Sequence, residues 1–398
     1  MASFFHPKAT LFVNGRKNQE RDVITAFKNS EEKIIWIHAA SLGEFEQGRP
    51  VIELFRKELP NYKILLTFFS PSGYEVRKNY AHADWVFYLP WDTPANARNW
   101  VNTVNPSFAI FIKYEFWFNY SNELAKKKIP LISISSIFRE NQLFFKTYGG
   151  FYRAILANFS HFFVQNAISK ELLKSIGIKN VSITGDTRLD RVYEVSKNPR
   201  EIWQASAFKG SQKVMVVGSC WEEDFNVLSP FINEQKDQLK FIIAPHELTE
   251  NFLNQIENSI SGKVIRFSNV TNAIELEQYQ VLIIDNIGTL SQLYQYGEFA
   301  YVGGGFGKGI HNILEAAAFG VPIFFGNKNY SRFQEANDLI AQGGAFGIGS
   351  YTELRKEYEH LVLFLESFLS ACKVNRQYVE DSIGATEKIV NYCKKMLL

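Results

Sequence analysis

The sequence predicts two successive doubly wound α/β domains, and three observations predict them. The chain has 398 residues, room for two hydrophobic cores at roughly 150 residues per domain. Short continuous apolar runs recur along it between helical stretches, as strands of a parallel sheet covered on both faces must. The series pauses near residue 196 and starts again, and Glu194–Arg200, with its Lys197-Asn198-Pro199, has the composition of a linker.

In the first half Ile34–His38 is a strand. It runs through Ala39-Ala40-Ser41-Leu42-Gly43 into a helix from about Glu44 to Lys57. Lys63–Thr67 is a second strand, closed by the turn Ser70-Pro71-Ser72-Gly73. Trp85–Tyr88, Phe108–Ile112, Pro130–Ile134 and His161–Val164 repeat the pattern. In the second half Lys213–Ser219, Lys240–Pro245, Lys263–Ile265, Val281–Asp285, Phe299–Gly303 and Val321–Gly326 do the same. Asp381–Leu398 is amphipathic and helical, with no strand after it. The expected division is 1–196 and 197–378, with a helix in 379–398 able to pack back on the first domain. Ligands of open α/β sheets sit beyond the carboxyl ends of the strands, so two such domains facing each other make a cleft.

Hydrophobic residues at 46% and charged residues at 21% exclude a disordered or collagen-like chain. Net charge is only +2, which argues for no nucleic-acid partner. The charge is uneven: residues 1–196 hold 25 Lys+Arg against 18 Asp+Glu, and the remainder holds 18 against 23. The first half is therefore expected to meet something anionic. Cys220, Cys372 and Cys393 form no CxxC pair, so no disulfide framework or zinc site is expected, and the compartment is expected to be reducing. No Asp-x-Asp and no metal-ligand cluster occurs, so no metal is expected. No apolar run reaches the ~18 residues of a membrane span, and the first residues lack the apolar core of a signal peptide.

The segment most suggestive of chemistry is Gly303-Gly304-Gly305-Phe306-Gly307-Lys308-Gly309-Ile310-His311-Asn312-Ile313-Leu314-Glu315. A strand enters a glycine turn and then a helix expected over His311–Phe319. Glycines let backbone approach a ligand, and a helix start attracts an anion. Gly309 stands where a Walker A loop needs Ser or Thr, and the spacing is not G-x-G-x-x-G. Asn312 and Glu315, three apart, would share a helix face, where a carboxylate can accept from two ribose hydroxyls. The plainer reading is a tight turn with a cap-like Asn312/Glu315 pair. Glu44 lies at a strand-to-helix junction, either as a general base or as a simple first-turn acid. Glu115, in Lys113-Tyr114-Glu115-Phe116-Trp117-Phe118-Asn119, follows a strand among aromatics, in a pocket or on a solvated loop. Ser219, in Gly218-Ser219-Cys220-Trp221-Glu222-Glu223-Asp224, is a helix cap or a donor to phosphate. Pro245 and His246 end another strand on the same loop side. Leu143–Arg153 mixes aromatic and basic residues: Phe144, Phe145, Lys146 and Arg153 make either an ordinary core helix or a surface that meets lipid.

Together these pieces resemble the 3-deoxy-D-manno-octulosonic acid (Kdo) transferases of lipopolysaccharide assembly. The matching segments are Ala40–Glu44, Tyr114–Asn119, Phe163-Val164-Gln165-Asn166, Thr184–Asp190, Gly218-Ser219 and Gly303–Gly305 through His311-Asn312-x-x-Glu315. The resemblance implies a two-domain GT-B glycosyltransferase. Its first domain would bind a lipid A precursor and its second the donor CMP-Kdo. It implies Glu44 as general base, Glu115 as a second functional acid, and Asn312 and Glu315 on the ribose. It also implies a peripheral place on the cytoplasmic face of the bacterial inner membrane. The family's N-terminal membrane anchor is absent here, so a chain start that is not native is expected. The sequence departs from the family at Lys113, where an acid is usual. It departs at His246, where the family has an arginine beside the donor phosphate, leaving Lys308 and Arg188 as candidates for that charge. Asn286-Ile287-Gly288-Thr289 departs as well. Alternatives are a GT-B transferase using a UDP-sugar, a nucleotide-sugar epimerase of the same architecture, and a non-catalytic nucleotide-binding module.

Overall fold

The computed structural model describes residues 7–17, 19–28, 31–273 and 276–397; the chain start lies outside them. The chain forms two compact units, Met1–Asp190 with Ser382–Leu398, and Arg191–Asp381.

The first unit holds β1 (Lys33–Ala39), β2 (Tyr62–Phe68), β3 (Trp85–Tyr88), β4 (Phe108–Ile112), β5 (Leu131–Ser136), β6 (His161–Val164) and β7 (Val181–Ile183). They lie side by side in the order β3-β2-β1-β4-β5-β6-β7, with every pairing parallel. β1 explains why the strands are apolar throughout. Ile35, Ile37 and Ala39 face one core with Phe45 and Phe55, while Ile34 and Trp36 face another with Phe111 and Tyr120. The strand order reverses between β1 and β4, so the loops after these two strands leave a crevice at the sheet's edge.

The second unit repeats the plan with β8 (Val214–Cys220), β9 (Lys240–Pro245), β10 (Val264–Arg266), β11 (Val281–Ile283), β12 (Phe299–Val302), β13 (Ile323–Gly326) and β14 (Ala345–Ile348). Their order is β10-β11-β9-β8-β12-β13-β14, again parallel, and the reversal falls between β8 and β12.

Two edge strands, β7 and β14, are additional to the six expected in each half. Both are short, and Ser182 or Gly347 interrupts their apolar run. The passage between units lies within the helix Thr187–Lys197, ahead of the proline-containing stretch taken for a linker. The C-terminal helix Ala385–Met396 belongs to the first unit, where Ile389, Val390 and Cys393 are fully buried against the core that also holds Val51 and Phe55. Burying such side chains contributes ~1.5–3 kcal/mol each.

Candidate active site

In the first unit the helix Leu42–Glu58 starts directly beyond β1, with Ser41 as its N-cap. Glu44 lies in its first turn, where exposed helix N–H groups favour a carboxylate. The Ser41 hydroxyl donates to Glu44 Oε2. Glu115 lies beyond β4, so the two acids flank the switch point of one sheet. Glu115 Oε2 accepts from Trp117 Nε1 at 2.7 Å and lies 3.1 Å from His38 Nε2. Aromatics do surround Glu115, and its side chain is only 11% exposed, which sets aside the solvated-loop reading.

In the second unit β12 runs into Gly303–Gly309 at that sheet's switch point, facing the end of β8. The glycines are demanded first by packing. A Cβ on Gly303 would fall inside 3.0 Å of the Ser219 carbonyl, one on Gly304 inside 3.0 Å of the Gly309 carbonyl, and one on Gly305 inside 3.0 Å of the Gly326 carbonyl. Gly304 and Gly309 also have φ of 93° and 120°. The loop is closed on itself: Gly303 N–H donates to Gly218, Gly307 and Gly309 to Gly304, and His311 to Gly303. Gly304 N–H donates to Asp224 Oδ2 at 2.7 Å. The N–H groups of Gly303, Gly304, Gly307 and Gly309 are thus taken up within the protein. Gly307 and Lys308 are the exposed part of the turn.

The helix expected over His311–Phe319 is only Leu314–Ala318, with Ile313 rather than a residue before His311 as its cap. Asn312 precedes that helix rather than sharing its face. It still meets Glu315, with Nδ2 2.9 Å from Oε1. Asn312 Oδ1 is buried and accepts no hydrogen bond among the described residues. Ser219 does not cap the following helix, Glu222–Glu234. Trp221 is the cap residue, and Ser219 sits at φ 52° on the end of β8. Pro245 closes β9, and the His246 N–H donates to the Cys220 carbonyl at 2.9 Å.

Trp221, His246 and His311 form one aromatic cluster. The rings of Trp221 and His311 are nearly parallel, 13° apart, and joined by Trp221 Nε1 to His311 Nε2 at 2.9 Å. His246 stacks on both, with centroids 4.3 Å from each. Lys308 Nζ is 5.1 Å from the Trp221 ring centroid. An indole N–H can only donate, so His311 Nε2 accepts and the ring is neutral with its proton on Nδ1. Burial, and the neighbouring His246, push His311 down from 6.5 to about 4. Burial also lowers His246. Between pH 6.5 and about 4 the unfolded chain takes up a proton that the folded one refuses. Stability present above pH 6.5 is therefore lost as pH falls through this window. Thermal melts should show it, with a shallower slope in His311→Gln; an equal slope in the variant contradicts the assignment.

Arg188 lies in the first unit rather than with the glycine turn. Its Nη2 is 2.6 Å from Asp186 Oδ2. Burial raises the Asp186 carboxyl, but the charge and hydrogen bonds of Arg188, helped by Lys113, hold it below its ordinary value. Leu143–Arg153 is a short 3₁₀ turn, Leu143–Phe145, followed by the helix Gly150–Ala157. Phe144 and Phe145 pack on the core. The Arg153 guanidinium donates to the carbonyls of Phe144, Lys146 and Thr147, at 3.2, 2.7 and 3.3 Å. Lys146 is half-buried. The apolar side chains this segment exposes are Leu143, Tyr148 and Phe151.

Sequence reasoning did not single out Trp221, Asp224 or His38. Trp221 and Asp224 stand at the cap and third positions of a helix start, which is a readable signal. Among the described residues no group of three or more His, Cys, Asp or Glu side chains is arranged to hold a metal, and no helix is long and apolar enough to cross a membrane.

Residues 16–191 match the family model described as 3-deoxy-D-manno-octulosonic-acid transferase (kdotransferase). The Kdo transferase of Chlamydophila psittaci is 26% identical over 344 residues, which cover 83% of this chain and 79% of that protein. Among solved structures, the UDP-GlcNAc 2-epimerase of Neisseria meningitidis bound to UDP-GlcNAc has a TM-score of 0.65 at 18% identity, over 91% of this chain and all of that one. MurG of Acinetobacter baumannii has a TM-score of 0.59 at 10% identity, over 91% of this chain and 99% of that one. The structural likenesses establish the fold, shared by transferases and epimerases alike, and the sequence relatives show that most of the chain is similar to Kdo transferases. With its two parallel sheets and its acids beyond the first switch point, the chain has the GT-B fold, and its residues 16–191 are similar to the Kdo transferases.

Proposed function

We propose that the chain moves Kdo from CMP-Kdo to a glucosamine hydroxyl of a lipid A precursor, with inversion at the anomeric carbon and without a metal. The observation that carries this reading is Glu44: an acid beyond a central strand, at the switch point, with Oε2 held by the Ser41 hydroxyl. In the reaction the acceptor oxygen attacks the anomeric carbon as its proton passes to Glu44. The bond from that carbon to the phosphate oxygen breaks, and the electron pair leaves with CMP. Lys308, exposed at the glycine turn, faces the charge growing on the phosphate. Glu315 and the unpartnered Asn312 Oδ1 accept from the ribose hydroxyls. The test is to incubate the protein with CMP-Kdo and a tetra-acylated lipid A precursor. Lipid mass gain with matching CMP release is expected; CMP release without lipid product, or turnover of a UDP-sugar instead, overturns the reading.

Glu315→Ala should weaken CMP binding by about 1.5–3 kcal/mol, the range for a lost hydrogen bond to a charged group. EDTA should leave CMP binding unchanged. Titration calorimetry reads both, and an unaltered mutant or an EDTA-sensitive wild type contradicts this donor site.

The acceptor implies a lipid surface on the cytoplasmic face of the inner membrane. The positive excess of the first half supports a contact with anionic headgroups. Phe144 and Phe145 are partly buried against the core, so the informative variant is Tyr148→Ser with Phe151→Ser, which changes exposed rings. Binding to anionic vesicles should fall in this variant and with rising salt. Unchanged vesicle binding in the folded variant would move the contact elsewhere on the first unit.

A further inference from the structure

His38 is the most deeply buried titratable group beside the candidate acids, with no solvent exposure, on the face of β1 shared with Trp36. Its two ring nitrogens have different partners. Nδ1 is 2.9 Å from Thr67 Oγ1, on the neighbouring strand β2, and Nε2 is 3.1 Å from Glu115 Oε2. Thr67 Oγ1 also receives Trp36 Nε1 at 2.8 Å, and indole can only donate. The Thr67 hydroxyl therefore has its own proton to give. Its two acceptors are His38 Nδ1 at 2.9 Å and the Ile37 carbonyl at a long 3.4 Å. Donation to Nδ1 is the better bond, and it places the imidazole proton on Nε2, aimed at Glu115.

We propose that His38 is a positioning residue for Glu115: a neutral Nε2–H imidazole, set in its tautomer by Thr67 and Trp36, that fixes which carboxylate oxygen faces the reaction. Oε2 takes both N–H donors, from His38 and from Trp117, on the inner side. Oε1 has no such partner among the described residues and is the oxygen presented outward. The chain of donors runs one way, from Trp36 through Thr67 and His38 to Glu115, across β1, β2 and the loop after β4. A carboxylate with one oxygen pinned by two rigid rings has little rotational freedom to lose when substrate arrives.

The inference rests on the reading of Glu115 as a functional acid of the transferase, and its test separates the two. NMR of protein carrying ¹⁵N-labelled histidine, without substrate, should show His38 protonated on Nε2 only at neutral pH, with a resonance that moves in Glu115→Gln. A ring protonated on Nδ1, or on both nitrogens, overturns the proposal whatever the enzyme does. In the transfer assay His38→Leu should lower kcat by about ten- to a hundredfold, with the KM values for CMP-Kdo and lipid nearly unchanged, as expected for lost orientation rather than lost binding. His38→Gln, whose amide N–H reaches toward the same carboxylate oxygen, should recover most of that loss. If His38→Leu does not fold, Thr67→Val frees the tautomer while leaving the ring, and should lower kcat in the same direction. Folded variants with wild-type kcat, or a Gln variant no better than Leu, overturn the role. A wild type that transfers no Kdo, but shows the Nε2–H signature coupled to Glu115, instead overturns the transferase reading.

Discussion

Glu44→Gln is expected to lower turnover by about 10²–10⁴-fold while leaving CMP-Kdo affinity nearly intact. The split follows from where the residue sits. Glu44 belongs to the first unit, in the first turn of the helix beyond β1, and the proposed nucleotide contacts belong to the second. Glutamine keeps the side chain's size and can still accept from Ser41, so local packing is preserved. What it cannot do is take a proton from the attacking hydroxyl. Water would have to carry that proton, which loses the general-base contribution. Single-turnover rates and donor binding, measured on the same preparation, check both halves. Turnover within about threefold of wild type removes Glu44 from the role of base.

Asp224→Leu should destabilise the second unit by about 3–5 kcal/mol, the usual cost of breaking a buried charged hydrogen-bond cluster. Asp224 has no solvent exposure. Its Oδ2 accepts from Gly304 N–H at 2.7 Å and Trp221 N–H at 3.1 Å, and its Oδ1 from the Tyr301 hydroxyl at 2.9 Å. One carboxylate thus ties the glycine turn, the start of the helix Glu222–Glu234 and strand β12 together. Burial pushes this carboxyl above its ordinary value against the pull of those donors, so the group is costly to hold and its partners are costly to orphan. Asp224→Asn keeps one acceptor oxygen and should cost about 1–3 kcal/mol. CMP affinity should fall in both, because the turn that carries Lys308 loses its anchor. Denaturant unfolding is the measurement, and a Leu variant within about 1 kcal/mol of wild type would show that the turn holds without it.

The strands were legible because each is apolar on both faces, and β1 alone, Ile34 through His38, displays the rule. β7 and β14 were not, since an edge strand is covered less and three or four residues with a Ser or Gly among them carry no periodicity. Glu44 and Glu115 were readable as acids just past strands. Their placement at the sheet's reversal depended on strand order, which no local pattern encodes. The glycine turn illustrates the opposite difficulty. Its composition suggested a cradle, yet Gly303, Gly304 and Gly305 answer to the backbones of Ser219, Gly309 and Gly326, two of them remote in sequence. His38 looked like one more strand residue because its partners, Thr67 and Glu115, arrive from β2 and from beyond β4.

The helix Ala385–Met396 completes a unit whose other residues end at Asp190. It is fastened there by the Asp190 carboxylate, which accepts from the Thr386 N–H at 2.7 Å and the Thr386 hydroxyl at 2.6 Å, and by Tyr392 against His161, with ring centroids 4.5 Å apart. During synthesis the second unit is therefore finished before the first can be. The ribosome releases Ile389, Val390 and Cys393 only after the whole second unit, and until then the face of the helix Leu42–Glu58 that they cover stays open to water. Glu44 is thus borne by a helix whose packing waits until the chain beyond the second unit has been made, and a chain cut short before Ala385 would keep its second unit whole while the helix that carries Glu44 lacked this cover.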